Sequence, residues 1–96
     1  MKLDERMYNG DRAREVLENE AFIAAMADIR QEIIEEWEKT PARDQEGREK
    51  LWQLLKMQEK LKGLLQSTLE TGKLAKLELE HKQTLAQRAR EWAGLA

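Results

Sequence analysis

Ninety-six residues with 41% hydrophobic but only 5% aromatic side chains make one small domain, residues 1–96, whose interior must be built mainly from Leu, Ile, Ala and Met. Charged residues reach 38% and cysteine is absent, which excludes a disulfide scaffold, thiol chemistry and Cys-ligated zinc, and matches the composition of long helices and coiled coils. The net charge of −2 hides a split: residues 1–40 hold eleven acids and six bases (−5), residues 41–96 eight acids and eleven bases (+3), so an acidic arm can lie against a basic one while neither half is basic enough to announce nucleic acid.

Leu3, Met7 and Tyr8 form one apolar side of a short N-terminal segment, residues 1–10, that Asn9-Gly10 is expected to stop, because Asn-Gly favours positive φ. Asp11 is then an N-cap for a first arm over residues 11–39 carrying Ala13, Val16 and Leu17. Asn19 offers a second cap, so a continuous arm and one broken near residue 19 both stand. Beyond it Phe22, Met26, Ile29, Ile33 and Trp37 step by four, three, four and four, one stripe of an amphipathic helix widened by Ile23 and Ile34. Thr40-Pro41 ends that helix, since the residue before proline is pushed out of the α region.

Asp44 suits the N-cap of a second arm over residues 44–93, with Gly94 read as its stop. This helix would run about 75 Å at 1.5 Å per residue, much longer than the arm before it. Leu51, Leu54, Gln58, Leu61, Leu65, Thr68, Gly72, Ala75 and Leu79 follow the three-four spacing of a coiled-coil seam. Leu55, Leu64, Leu69, Leu74, Leu77 and Leu85 lie off it, and a helix with two apolar edges touches more than one neighbour. Gly63, Ser67, Thr71 and Ala75 recur every four residues and read as a ridge for close helix approach, against the plainer reading of a helix weakened by its glycines.

The fold expected is all-α: an antiparallel helical hairpin with a long second helix, assembling into a helical oligomer. Its corner is Trp37, Pro41, Asp44 and Trp52, with the two indole rings close together and largely buried. Facing residues then carry numbers that sum to about 85–88, and an unbroken first arm reaches only about residue 77. Leu74, Leu77, Leu85 and Trp92 fall on or beyond that limit and are the expected subunit contacts; a fold-back of the first ten residues is the competing cover.

Little in the chain carries chemistry. Glu78 and His81 sit at the Glu-x-x-His step that di-iron bundles use, but His81 is the only histidine and faces no evident glutamate, so no metal and no cofactor is expected. One histidine and no cysteine leave nothing from which to assemble a catalytic triad, and no glycine-rich phosphate loop is present, so the chain reads as non-enzymatic. Lys82, Arg88, Arg90 and Trp92 could touch phosphates, but Glu80, Gln83 and Glu91 dilute them. The longest apolar run, Ala21 to Ala27, is too short for a membrane span, and Asp4 and Glu5 follow Lys2 where a signal segment would be apolar. A cytoplasmic protein without membrane contact is expected.

The stretch from Trp37 through Thr40-Pro41-Ala42-Arg43-Asp44 to Gly47-Arg48 and Leu51-Trp52, with Glu70-Thr71-Gly72-Lys73 downstream, resembles small uncharacterised helical proteins encoded by tailed bacteriophages. The resemblance covers roughly residues 20–75. It implies a phage origin, with the host cytoplasm or the virion as the location, and carries no activity. The function expected is a homo-oligomeric binding or assembly module: a virion-assembly or head-associated accessory, or a binder of a host protein. One alternative is a sponge that sequesters a nucleotide signal of host defence between subunits, for which Tyr8, Arg43 and Arg48 are the candidate ligand residues. Another is a DNA-packaging adaptor.

Overall fold

The computed structural model describes residues 2–95, so Met1 and Ala96, the ends of the expected domain, lie outside it. Three helices account for nearly all of it: α1 (Leu3–Glu18), α2 (Glu20–Lys39) and α3 (Gln45–Leu95). There is no strand among the described residues. A 51-residue helix is about 76 Å long at the usual rise, and the molecule measures 80 × 25 × 16 Å. α3 therefore sets the length of the whole molecule, and the other two helices are laid along it.

Each break has a local cause. Asn19 leaves the helical region at φ −70°, ψ 122°, and its side-chain oxygen accepts the Phe22 N–H at 3.0 Å, an N-cap that starts α2 as α1 ends. Thr40 is likewise extended, as a residue before proline must be, and its hydroxyl donates to the Glu36 carbonyl at 2.6 Å. The Asp44 N–H donates to the Pro41 carbonyl at 3.0 Å. The Asp44 carboxylate accepts the Gly47 N–H at 3.0 Å, which caps the first turn of α3. Arg48 then donates to the Thr40 carbonyl at 3.0 Å, placing a cation at the end of α2 where the helix dipole favours one.

The expected stop at Asn9-Gly10 is absent, and the separate 1–10 segment with it. α1 runs through both residues, with no positive φ at any described residue. Asp11 is consequently mid-helix and caps nothing. Gly10 is there for a different reason: a Cβ built on it would lie 2.7 Å from the Gly72 Cα, and one built on Gly72 would lie 2.8 Å from the Gly10 Cα. The two backbones touch where neither has a side chain. Ala13 and Ala75 flank the contact, Ala75 with no exposed surface at all. Of the expected ridge of Gly63, Ser67, Thr71 and Ala75, only Ala75 lies in this contact; Gly63, Ser67 and Thr71 are exposed, with nothing within 4 Å of a Cβ on Gly63. Gly94 does not stop α3 either, since the helix continues to Leu95.

α1 and α2 both run back along α3. Arg6 pairs with Glu78, Asp11 with Lys76, and Arg30 with Glu59; Gln58 donates to the Met26 carbonyl. α1 packs against α3 far more closely than α2 does, because only the α1 crossing is built from glycine and alanine. The buried apolar set is correspondingly thin: among the described residues it is Ala13, Ile33 and Ala75, with no large side chain fully enclosed.

The Gly10–Gly72 contact makes a pair of opposite expectations. Replacing glycine by alanine inside an exposed helix normally stabilises by about 0.5–1 kcal/mol, and Gly63→Ala should do so. Gly10→Ala would drive a methyl group into backbone and should destabilise by about 1–3 kcal/mol. Denaturant unfolding of the two variants checks both signs.

Candidate interaction surfaces

The molecule is extended and leaves many large apolar side chains exposed. Its accessible area is 7888 Å², whereas a compact monomer of 11.3 kDa would expose about 5,700 Å² by the usual scaling. The radius of gyration, 22.1 Å, compares with about 12.5 Å for a globular chain of this length. Contiguous apolar patches on such a surface mark interaction sites.

One lies on the distal half of α3. Leu74, Leu77, Leu85 and Trp92 are all exposed, Trp92 at 78%. Arg6 reaches Glu78, so α1 extends further along α3 than residue 77. Leu74 and Leu77 are therefore exposed not because the first arm is too short but because they face away from it. On a helical projection the four residues lie roughly 150° around α3 from the face of Gly72, Ala75 and Leu79 that meets α1. Only from about His81 onward does α3 overhang the other helices, with every residue from 81 to 94 exposed. Residues 3–10 are the first turns of α1, lie along α3 as far as Glu78 and leave this overhang uncovered.

A second exposed run was hidden from sequence reasoning. Leu54, Met57, Leu61 and Leu64 step by three, four and three along α3 and are open to solvent. Leu54 and Leu61 belong to the expected seam; they are uncovered because α2 stands off α3 there. Between these helices is a groove of about 610 Å³ lined by Leu17, Phe22, Ile23 and Met26, with Arg30 and Lys62 among its polar residues.

At the corner, Pro41 and Asp44 hold the turn described above, but the indoles are not a buried clamp. Trp37 and Trp52 are 46% and 57% exposed. Each instead lies under a cation, Arg48 at 4.1 Å from the Trp37 ring and Lys56 at 5.7 Å from that of Trp52, geometry that suits a ring with one open face. Arg48 is thus committed to Trp37 and Thr40. Tyr8 lies far from it, beneath Arg12 at 5.1 Å, in a hollow whose other lining residues are Asp4, Glu5 and Asn9. Twenty-eight residues of α3 separate the level of Arg48 from that of Lys76 beside α1, about 42 Å. Tyr8, Arg43 and Arg48 therefore do not form one site within a chain, and two carboxylates beside Tyr8 oppose a phosphate there.

Glu78 is engaged by Arg6 at 3.3 Å and Lys82 at 3.6 Å, and among the described residues no three metal-ligating side chains gather. No described helix is long and apolar enough to cross a membrane. The chain matches no protein-family model, no curated protein and no solved structure.

The ion pairs are mostly exposed and individually weak. The one that perturbs a titration joins α1 to α3: Lys76 donates to Asp11 at 2.8 Å, and this bond, aided by the charges of Lys76, Arg14 and Arg12 against a smaller desolvation penalty, holds the Asp11 carboxyl below its ordinary value of 3.8. A carboxyl depressed in the folded state stabilises above the unfolded value and loses that contribution as pH falls through the folded one. Asp11→Asn should accordingly melt below the parent at pH 6, and the gap should close below pH 3.8. Thermal melts followed by circular dichroism across that range check it.

Proposed function

We propose that this chain is a non-enzymatic, homo-oligomeric helical module of bacteriophage origin, a hairpin whose long helix carries the subunit contacts. The observation that carries the reading is the exposed apolar stripe of Leu74, Leu77, Leu85 and Trp92 on a helix that its own α1 covers only on the other side. A standard protein interface takes about 800 Å² from each partner. The stripe from Leu74 to Trp92 spans 18 residue steps of α3, about 27 Å of helix, a length over which a second helix can pack.

The role that follows is binding rather than turnover. Virion assembly, a head-associated accessory function, or capture of a host protein would each use a rod-shaped oligomer with a further apolar run, Leu54 to Leu64, still open. The resemblance around Thr40-Pro41 and Gly47-Arg48-x-x-Leu51-Trp52 supports the phage setting, and with it the host cytoplasm or the virion. The nucleotide-sponge reading is weaker, because Arg48 is already occupied and Tyr8 is flanked by carboxylates.

Light scattering on a size-exclusion column should give a mass that is a multiple of 11.3 kDa. Leu77→Glu combined with Trp92→Glu, both at exposed positions, should reduce it to a single chain at unchanged helicity. A parent protein that stays monomeric at high concentration rejects the reading.

A further inference from the structure

Leu74, Leu77, His81, Leu85, Arg88 and Trp92 step by three, four, four, three and four, which confines them to about 80° of the α3 surface. All are exposed. The stripe is nearly symmetrical about His81, with Leu77 four residues before it and Leu85 four after. We infer that a second copy of this chain docks antiparallel on this back face of α3, related by a two-fold axis at His81, so that Leu77 of each copy packs on Leu85 of the other. This rests on the homo-oligomer reading and specifies its geometry.

Charge decides the direction. In a two-fold antiparallel pair each flank of the stripe meets the same flank of the other copy, and a residue four before the axis lies opposite one four after it. On one flank Glu78 and Lys82 fall three before and one after His81. Glu78, Lys82 of the second copy, Lys82, and Glu78 of the second copy then succeed one another about 3 Å apart along the axis, so each Glu78 has the other copy's Lys82 beside it, while the two Lys82 meet only at the outer edge of that flank. On the other flank Lys73 and Glu91, eight before and ten after, meet with a similar offset of about 3 Å. Glu80 and Lys82, the two neighbours of His81, each lie about 100° from the centre of the stripe, on its opposite rims.

The parallel arrangement loses the Lys73–Glu91 match and pairs Lys82 with Glu80 only at the rim. It sets Arg88, near the centre of the stripe, directly against Arg88 of the other copy, and like charges across a helical interface are repulsive. Turning one helix over brings Arg88 to the level of Leu74 and within about one turn, roughly 6 Å, of Glu70, which shares the same stripe. α1 does not obstruct the contact, being on the opposite side of α3, where it is held by Gly72 and Ala75. Isologous packing of this kind closes on itself, which makes a dimer rather than a filament the product of this surface.

Because the chain has no cysteine, single cysteines report the register cleanly. Leu77→Cys and Leu85→Cys, each at an exposed position, are prepared with different tags, refolded alone or as an equimolar mixture, and treated with a short bis-maleimide. The mixture should give a covalent dimer carrying both tags in several-fold higher yield than either variant alone, with light scattering showing the parent mass for both. Self-cross-linking of Leu77→Cys as efficient as the mixture establishes a parallel pair and overturns the inference. An oligomer of parental mass that links in no combination also overturns it while leaving self-association standing, and a monomer under all conditions overturns both.

Discussion

The contact between the backbones of Gly10 and Gly72 governs the arrangement of everything else in this molecule. Helices with ordinary side chains pack with their axes about 8–10 Å apart, and removing both Cβ atoms lets α1 sit closer to α3 than α2 can. That closeness encloses Ala13 and Ala75 and sets Asp11 within hydrogen-bonding reach of Lys76. It also fixes which side of α3 is covered. Once α1 is seated on the face of Gly72 and Ala75, the stripe of Leu74, Leu77, Leu85 and Trp92 is turned to solvent. The same glycine pair therefore provides a close internal contact and determines which apolar surface is left exposed.

The division of labour between the two shorter helices follows from their sequences. α1 turns its two small residues, Gly10 and Ala13, toward α3, so it gains from close approach and from ion pairs at its rim. α2 has the large ones, Phe22, Met26, Ile29, Ile33 and Trp37, which hold its axis off α3 and bury only Ile33. Large side chains without a third layer to fill the space between them leave a groove, and the opening between α2 and α3 is that space. A chain of this size with three buried apolar residues among those described has a small internal hydrophobic term to set against the entropy of ordering a 51-residue helix. The thin core and the large exposed stripe are thus two aspects of one problem, whose general solution in helical proteins is burial between copies.

Several features could be read directly from residues because their causes are local. The end of α2 at Thr40 and the start of α3 at Asp44 follow from a proline and a capping carboxylate, whose effects reach only a few residues. Asn19 works in the same way, as an acceptor for the N–H three residues on. Asn9-Gly10 was misleading for the complementary reason: in a local reading the pair signals a turn, and nothing nearby reveals that Gly10 is occupied by another helix. A signal did exist. Numbers summing to 85 put Gly10 opposite Ala75 and Ala13 opposite Gly72, two matching small-x-x-small steps, whereas Gly63, Ser67 and Thr71 have no small counterpart across the bundle.

What the sequence determined by itself was the helical character and the break between Thr40 and Asp44, since these depend on composition, periodicity and short-range hydrogen bonding. The tertiary structure decided which glycines are contacts, which tryptophans remain open, and why Leu74 and Leu77 are exposed. Those are properties of the rotation of α3 about its own axis. A repeating three-four pattern with two apolar edges permits more than one rotation, and only the seating of Gly10 on Gly72 selects between them.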